Sequence, residues 1–329
     1  MDLTINTAIY GALLAFLATV VLCPILIPYL TKLNFGQNVR GDGPKSHLSK
    51  AGTPTMGGIV IVIGYLFSSV YFTKGSTEVL AVNLVTLSFG IIGFIDDYIK
   101  KVKKRSLGLT AMQKIISQLL VAGAFAWFVY NNSHPYFGLN TTQILIPFVK
   151  GGFDLGFMFI PAVIFIVVGG VNSVNLTDGL DGLNSGVTAL VAVFFVYTAL
   201  TAGSPLVPAA GAAAGSLLAF LLFNSHPARV FMGDTGSLAL GGFVTSVAVI
   251  LKSPLFLALV GIIYVAEALS VIIQVGYFKL THGKRVFKMA PIHHHFELSG
   301  FTETKVVSLF YIITAIAVLI GFLGFSEAL

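Results

Sequence analysis

Residues 5–30 read INTAIYGALLAFLATVVLCPILIPYL, a stretch without a charged side chain. As a helix rising about 1.5 Å per residue, it outreaches the roughly 30 Å apolar layer of a bilayer. A cleaved leader would put basic residues ahead of a short apolar core; here Asp2 precedes the run, which reads as a permanent span. The same window finds further apolar stretches at 53–73, 78–96, 112–131, 155–172, 184–202, 205–223, 236–252, 254–279 and 305–326. Those at 184–202 and 236–252 are rich in Gly, Ala and Thr, small residues that suit close helix packing in lipid. The expected fold is an all-α integral membrane protein of about ten transmembrane helices. It forms one polytopic domain over 1–329, with both termini on the same side.

Composition agrees. The 329 residues are 56% hydrophobic and 10% charged, with a mean hydropathy of +0.92. Such values exclude a water-soluble domain with an ordinary polar surface. The net charge is +6 and the pI near 9.3, but the basic residues form short runs beside apolar stretches. Anionic membrane lipid headgroups and anionic substrates are therefore the nearer partners, and no nucleic acid is expected. The single cysteine, Cys23, lies inside the first span, so neither a disulfide framework nor a thiolate metal site can be built. All but three of the 19 Lys and Arg fall in one set of alternating connections, the exceptions being Lys74, Lys150 and Lys252. That set is expected to face the cytoplasm, with both termini external.

Four polar segments then converge on the cytoplasmic face. The third span ends in Phe-Ile-Asp96-Asp97-Tyr, where two carboxylates meet both mutual repulsion and the negative end of a helix dipole. Compensation comes from the following run, including Lys100 and Lys104, or from a divalent cation with an anionic substrate whose phosphates the lysines meet as point charges. In Asn172-Ser-Val-Asn175-Leu-Thr-Asp178-Gly179-Leu-Asp181-Gly the spacing puts Asn172, Asn175, Asp178 and Asp181 on one stripe of a helix. Such side chains in a Gly-rich turn suit nucleobase and ribose edges, or form a polar cap between two spans.

Asn224-Ser-His-Pro-Ala-Arg-Val-Phe231-Met-Gly-Asp234-Thr-Gly-Ser offers Asp234 as the preferred metal ligand, since Mg2+ takes only one or two protein carboxylates beside substrate phosphates. An N-cap role for Asp234 is the plainer alternative. Pro-Ile-His293-His294-His295-Phe-Glu suits hydrogen bonds to a diphosphate or orientation of a carboxylate; zinc is the weaker reading, because adjacent side chains seldom reach one tetrahedral ion. Lys50-Ala-Gly-Thr-Pro-Thr55-Met-Gly-Gly is a basic, hydroxyl-rich entry to the second span or a simple helix start. Glu267 sits inside the ninth span, where a carboxylate is costly and either serves the site or pairs locally.

Taken in order, Gly-Thr-Pro-Thr-Met-Gly-Gly, Phe-Ile-Asp-Asp-Tyr, Asn-Leu-Thr-Asp-Gly-Leu-Asp-Gly, Phe-Met-Gly-Asp-Thr-Gly-Ser and Pro-Ile-His-His-His-Phe-Glu closely resemble the polyprenyl-phosphate N-acetylhexosamine-1-phosphate transferase superfamily. The resemblance spans residues from about 45 to 300, and the histidine motif is similar to its muramoyl-pentapeptide branch. It implies transfer from UDP-N-acetylmuramoyl-pentapeptide to undecaprenyl phosphate, giving lipid I and UMP, with Mg2+, by a homodimer at the inner face of a bacterial cytoplasmic membrane. By position it implies that Asp234 holds Mg2+, that Asp96 and Asp97 are the catalytic acidic pair, and that His293 and its neighbours meet the donor phosphates or sugar. Lys50, Asp178, Gly179, Asp181, Asn224 and Phe231 would form the nucleoside region.

Phosphoryl transfer needs charge neutralisation and positioning more than covalent chemistry by the protein. A phosphate monoester has a second pKa of about 6, so the lipid phosphate attacks directly with Asp96 taking any remaining proton, or an aspartyl phospho-sugar intermediate intervenes. Rival readings are the sister transferase that uses UDP-N-acetylglucosamine and an ion-coupled membrane transporter, whose acids would belong nearer the bilayer midplane.

Overall fold

The structure, a computed structural model, describes residues 4–32, 50, 52–73, 75–103 and 108–329. Lys104 lies outside the described residues. In chain order the helices are α1 (Ile5–Lys32), α2 (Gly58–Phe72), α3 (Thr77–Val102), α4 (Ala111–Asn132), α5 (Phe159–Thr177), α6 (Leu183–Ala202), α7 (Val207–Asn224), α8 (Gly233–Ile250), α9 (Pro254–Val260), α10 (Ile262–Leu280), α11 (Ile292–Leu298) and α12 (Glu303–Ala328). Among the described residues, nine helices are long and apolar enough to cross a membrane.

Three departures from the sequence reading have local causes. The apolar stretch 53–73 yields only the 15-residue α2, about 22 Å long and short of a bilayer. Its first residues pair with another loop instead: Phe231 N–H donates to Pro54 O at 2.8 Å, and Gly57 and Gly58 N–H donate to Phe231 O and Met232 O at 2.8 and 2.9 Å. The stretch 254–279 is broken at Gly261 into α9 and α10. The expected all-α character is interrupted by an antiparallel hairpin, β1 (Gln143–Ile146) and β2 (Val149–Asp154), in the long connection after α4. In Gln-Ile-Leu-Ile the consecutive Ile144 and Leu145 are both buried, so both faces of the strand are covered, while Leu145 N–H reaches Lys252 O at 2.7 Å and Phe148 N–H reaches Gly324 O at 3.2 Å.

The most enclosed helices are α7 and α8, whose small residues let neighbours approach to backbone contact. A Cβ at Gly211 or Gly215 would collide with carbonyls of α1, and one at Gly93 of α3 would collide with the Asp234 carbonyl of α8. That last crossing sets the distance between two acidic segments. Outward faces such as Leu13, Leu17 and Ile25 of α1 and Ile316, Leu319 and Leu323 of α12 are exposed and apolar, as lipid contact requires.

At the end of the bundle away from Asp234, buried Lys252 donates to Ser133 Oγ at 2.6 Å, Thr141 O at 2.8 Å and Asn140 O at 3.1 Å. Tyr136 O–H donates to Glu78 beside it. Burial pushes the Lys252 ammonium down to about 8, against the pull of Glu78.

Candidate active site

Asp96 and Asp97 do not end their helix, as the sequence reading expected: α3 continues to Val102, and its last turns run beside the first turn of α8. The positive end of the α8 dipole therefore faces them. Asp97 Oδ1 accepts from Asp234 N at 3.2 Å, and its Oδ2 accepts from Thr235 N at 2.9 Å and Thr235 Oγ1 at 2.8 Å. Asp96 Oδ1 accepts from Leu109 N at 2.8 Å, and its Oδ2 lies 2.6 Å from Lys100 Nζ.

Asp234 shares Lys100 with Asp96 and adds Lys114, with Lys114 Nζ at 2.9 Å and Lys100 Nζ at 3.1 Å from Oδ2. Its Oδ1 accepts from Asn175 Nδ2 at 3.1 Å, and the same amide donates to Ser237 Oγ at 2.8 Å. Ligand oxygens of Asp96, Asp97 and Asp234 lie within 4.8 Å of one another. An all-oxygen set of this kind fits a hard divalent cation, and Lys100 and Lys114 supply positive charge to the same oxygens.

Asp178 follows the end of α5 and accepts from the Gly233 backbone N–H; burial, then the charges of Asp234, Asp97 and Asp181, push its carboxyl up to about 8. Asn172 is spent on packing: it exchanges hydrogen bonds of 2.7 and 3.3 Å with Gln118 and donates to Val168 O. That brace holds α4, and with it Lys114 one turn away, against α5.

A second cluster adjoins the first. Lys50 Nζ lies 2.7 Å from Asp181 Oδ1 and 2.5 Å from Glu303 Oε1. Asp181 Oδ2 accepts from Ala228 N at 3.0 Å and faces His226 Nδ1 at 3.1 Å. The Phe231 ring centroid stands 6.0 Å from Lys50 Nζ. Asn224 is buried and organises this loop, donating to Val230 O at 3.0 Å and accepting from Ser185 Oγ at 2.9 Å. Thr55 Oγ1 and Asp97 Oδ2 crowd Gly233, whose φ of +72° and lack of a side chain let the loop turn between them.

The three histidines occupy α11 and diverge, as consecutive residues on a helix do. His293 Nδ1 meets Glu267 Oε1 at 3.0 Å, His294 Nδ1 meets Glu297 Oε2 at 3.0 Å, and His295 Nδ1 accepts from Lys288 N at 3.2 Å. Separate partners leave no shared zinc centre among them. Lys114, Thr235, His226 and Glu303 are the site members that sequence reasoning passed over. For Lys114, the available signal was a lysine one turn inside an apolar helix. Glu303 follows Thr302 and reads as an ordinary helix start.

The chain matches the family described as Glycosyl transferase family 4 over residues 79–252. It also matches the phospho-N-acetylmuramoyl-pentapeptide-transferase signature 1 over residues 50–62. A relative named phospho-N-acetylmuramoyl-pentapeptide-transferase from Clostridium kluyveri is 52% identical over 318 residues, 96% of this chain and 98% of its own. Relatives of the same name from Caldanaerobacter subterraneus (49% identity; 98% of this chain, 100% of its own) and Clostridium perfringens (51%; 95% of each) extend the likeness. Identity at that level over essentially the whole chain leaves no doubt of kinship: the chain belongs to the phospho-N-acetylmuramoyl-pentapeptide-transferase family within Glycosyl transferase family 4.

Proposed function

We propose that this protein transfers phospho-N-acetylmuramoyl-pentapeptide from its UDP-linked donor to undecaprenyl phosphate, forming lipid I and releasing UMP. The observation that carries the reading is the junction of α3, α4 and α8, where three carboxylates and two lysines meet where apolar helices end. The relatives' names support the donor. A transporter would concentrate its acids nearer mid-span.

An oxygen of the lipid phosphate attacks the β-phosphorus of the donor, and the bond to the UMP oxygen breaks. Lys100 and Lys114 meet the diphosphate as point charges, and Asp96 takes a proton the acceptor still carries. Asp97 is committed to three donors at the start of α8, which favours direct attack over an aspartyl intermediate on that residue. Asp234 would hold Mg2+, which when bound supplies positive charge to the diphosphate. Lys50, Asp178, Gly179, Asp181, Asn224 and Phe231 form the nucleoside side, with the Phe231 ring offered to uracil. Thr55 and Asn175 keep that side in register with Asp234, and His293, His294 and His295 line the sugar–diphosphate side.

The excess of Lys and Arg beside these helix ends supports a cytoplasmic position for the site, in the inner membrane of a bacterium. Homodimeric assembly belongs to the same reading. The test is UMP release by the purified protein in detergent, with Mg2+ and with chelator. UMP formed only with lipid acceptor, Mg2+ and the muramoyl donor is the expected result. UMP formed from UDP-N-acetylglucosamine instead would move the donor to the sister branch.

A further inference from the structure

Glu267 has no part in the mechanism above, yet it is 0% exposed on α10. A carboxylate inside a span is costly unless a partner or a polar cavity repays its lost hydration. The one hydrogen bond its carboxyl group makes is at Oε1, which His293 Nδ1 meets at 3.0 Å. Glu267 Oε2 and His293 Nε2 are both buried without a partner, and Thr19 Oγ1 is the other such side-chain atom among the described residues. Two of these three orphaned atoms thus belong to one pair, although buried polar groups are nearly always satisfied.

The orientation of the ring says where that pair is aimed. His293 is 1% exposed, and a Cβ at Gly179 would collide with its Nε2 and Cε1. The imidazole edge therefore lies against the Asp178–Gly182 turn, which holds Asp181 and, through it, Lys50. A carboxylate accepts only, so its contact with Nδ1 fixes the proton there and leaves Nε2 as the nitrogen free to meet a ligand. Arrangements in which a carboxylate behind a histidine sets its tautomer recur where the other nitrogen does chemistry.

We propose that Glu267 is a positioning residue for His293, holding the Nδ1–H and the ring rotation so that Nε2 faces the sugar–diphosphate of the donor across the Gly179 turn. This rests on the transferase reading for the identity of the donor, but the pairing itself does not. Mis-set, the ring would present the wrong nitrogen to a donor that binds elsewhere as before.

The experiment uses the full chain in detergent or nanodiscs with 15N-labelled histidine, His293 being assigned by His293→Gln. The expected spectrum has His293 protonated at Nδ1 in the unaltered protein, and that signature is lost in Glu267→Gln. The kcat for UMP release by Glu267→Gln should fall about 100-fold, the scale of a misplaced catalytic group, with unfolding temperature and UDP affinity near those of the unaltered protein. In the His293→Gln background, Glu267→Gln should cost nothing further. An Nε2-protonated His293 in the unaltered protein overturns the proposal even if Glu267→Gln fails to fold. So does a folded Glu267→Gln with kcat within about twofold of the original, or independent losses in the double variant. If the unaltered protein releases no UMP, the transferase reading fails, and the spectrum alone still decides the pairing.

Discussion

Thr235 donates twice to one oxygen of Asp97, from its backbone nitrogen at 2.9 Å and its hydroxyl at 2.8 Å. With Asp234 N–H added, Asp97 caps the start of α8 from a neighbouring helix, and the cap places Asp234 beside Asp96. Removing the hydroxyl in Thr235→Val should lower unfolding stability by about 1.5–3 kcal/mol, the cost of a hydrogen bond to a charged group. Asp97→Asn, which turns an amide N–H2 toward donors, should lower it further and abolish UMP release. Thermal unfolding in detergent reads both. An Asp97→Asn protein as stable as the original would remove this capping role.

Lys114 approaches Asp234 more closely than Lys100 does. Lys114→Met should leave Asp234 paired to Lys100 and the protein folded, while kcat falls about 100-fold because a cation at the diphosphate is gone. Lys114→Arg should recover part of the loss. Unaltered kcat in Lys114→Met would exclude Lys114 from the charge balance of the reaction. Asp234→Asn is the complementary case: turnover should vanish and Mn2+ binding, followed by electron paramagnetic resonance, should weaken, while Asp96 still holds Lys100 at 2.6 Å.

Glu303 bridges Lys50 and the Asp181 backbone N–H through one oxygen, at 2.5 and 2.7 Å. Glu303→Gln should release the Lys50 ammonium from its set position and weaken UDP binding about tenfold, or roughly 1.4 kcal/mol, with a smaller change in kcat. Calorimetric titration with UDP measures this directly. Affinity unchanged by Glu303→Gln would make the bridge a tether of α12 only.

The spans were legible because lipid demands continuous apolar helices, and a window of that length reads them with few errors. The errors fall where backbone hydrogen bonds run to distant partners. Thr53–Gly57 looks like a helix start but pairs with Phe231 and Met232, and no local pattern reports a partner so far along the chain. Asp96, Asp97, Asp234, Asp181 and Lys50 are visible because charges beside membrane spans need a reason, and Asn175 because its spacing puts it on the helix stripe of Asp178 and Asp181. Lys114 and Glu303 were hidden by roles that local sequence explains well enough, a membrane-flanking cation and an acid in a first helical turn. Asn172 was grouped with them by spacing, which gives the face of a helix but not the neighbour that covers it; the neighbour is Gln118.

Lys252 gives the opposite end of the bundle a pH dependence whose sign is fixed. Its folded value, about 8, lies below the roughly 10.4 of an unfolded lysine. Between those values the unfolded chain binds more protons than the folded one, so this group makes stability rise with pH from about 8 to about 10.4. Below about 8 both states carry the proton, and the cost of burying the charge is fully present. Lys252→Met should be less stable at neutral pH, because Asn140 O and Thr141 O lose their donor beneath the hairpin. It should also lack the alkaline gain, so the stability difference from the unaltered protein widens from pH 8 to 10.4. Unfolding temperatures of both proteins across that range decide it: parallel curves would mean that Lys252 titrates alike in both states and that its burial carries no electrostatic cost.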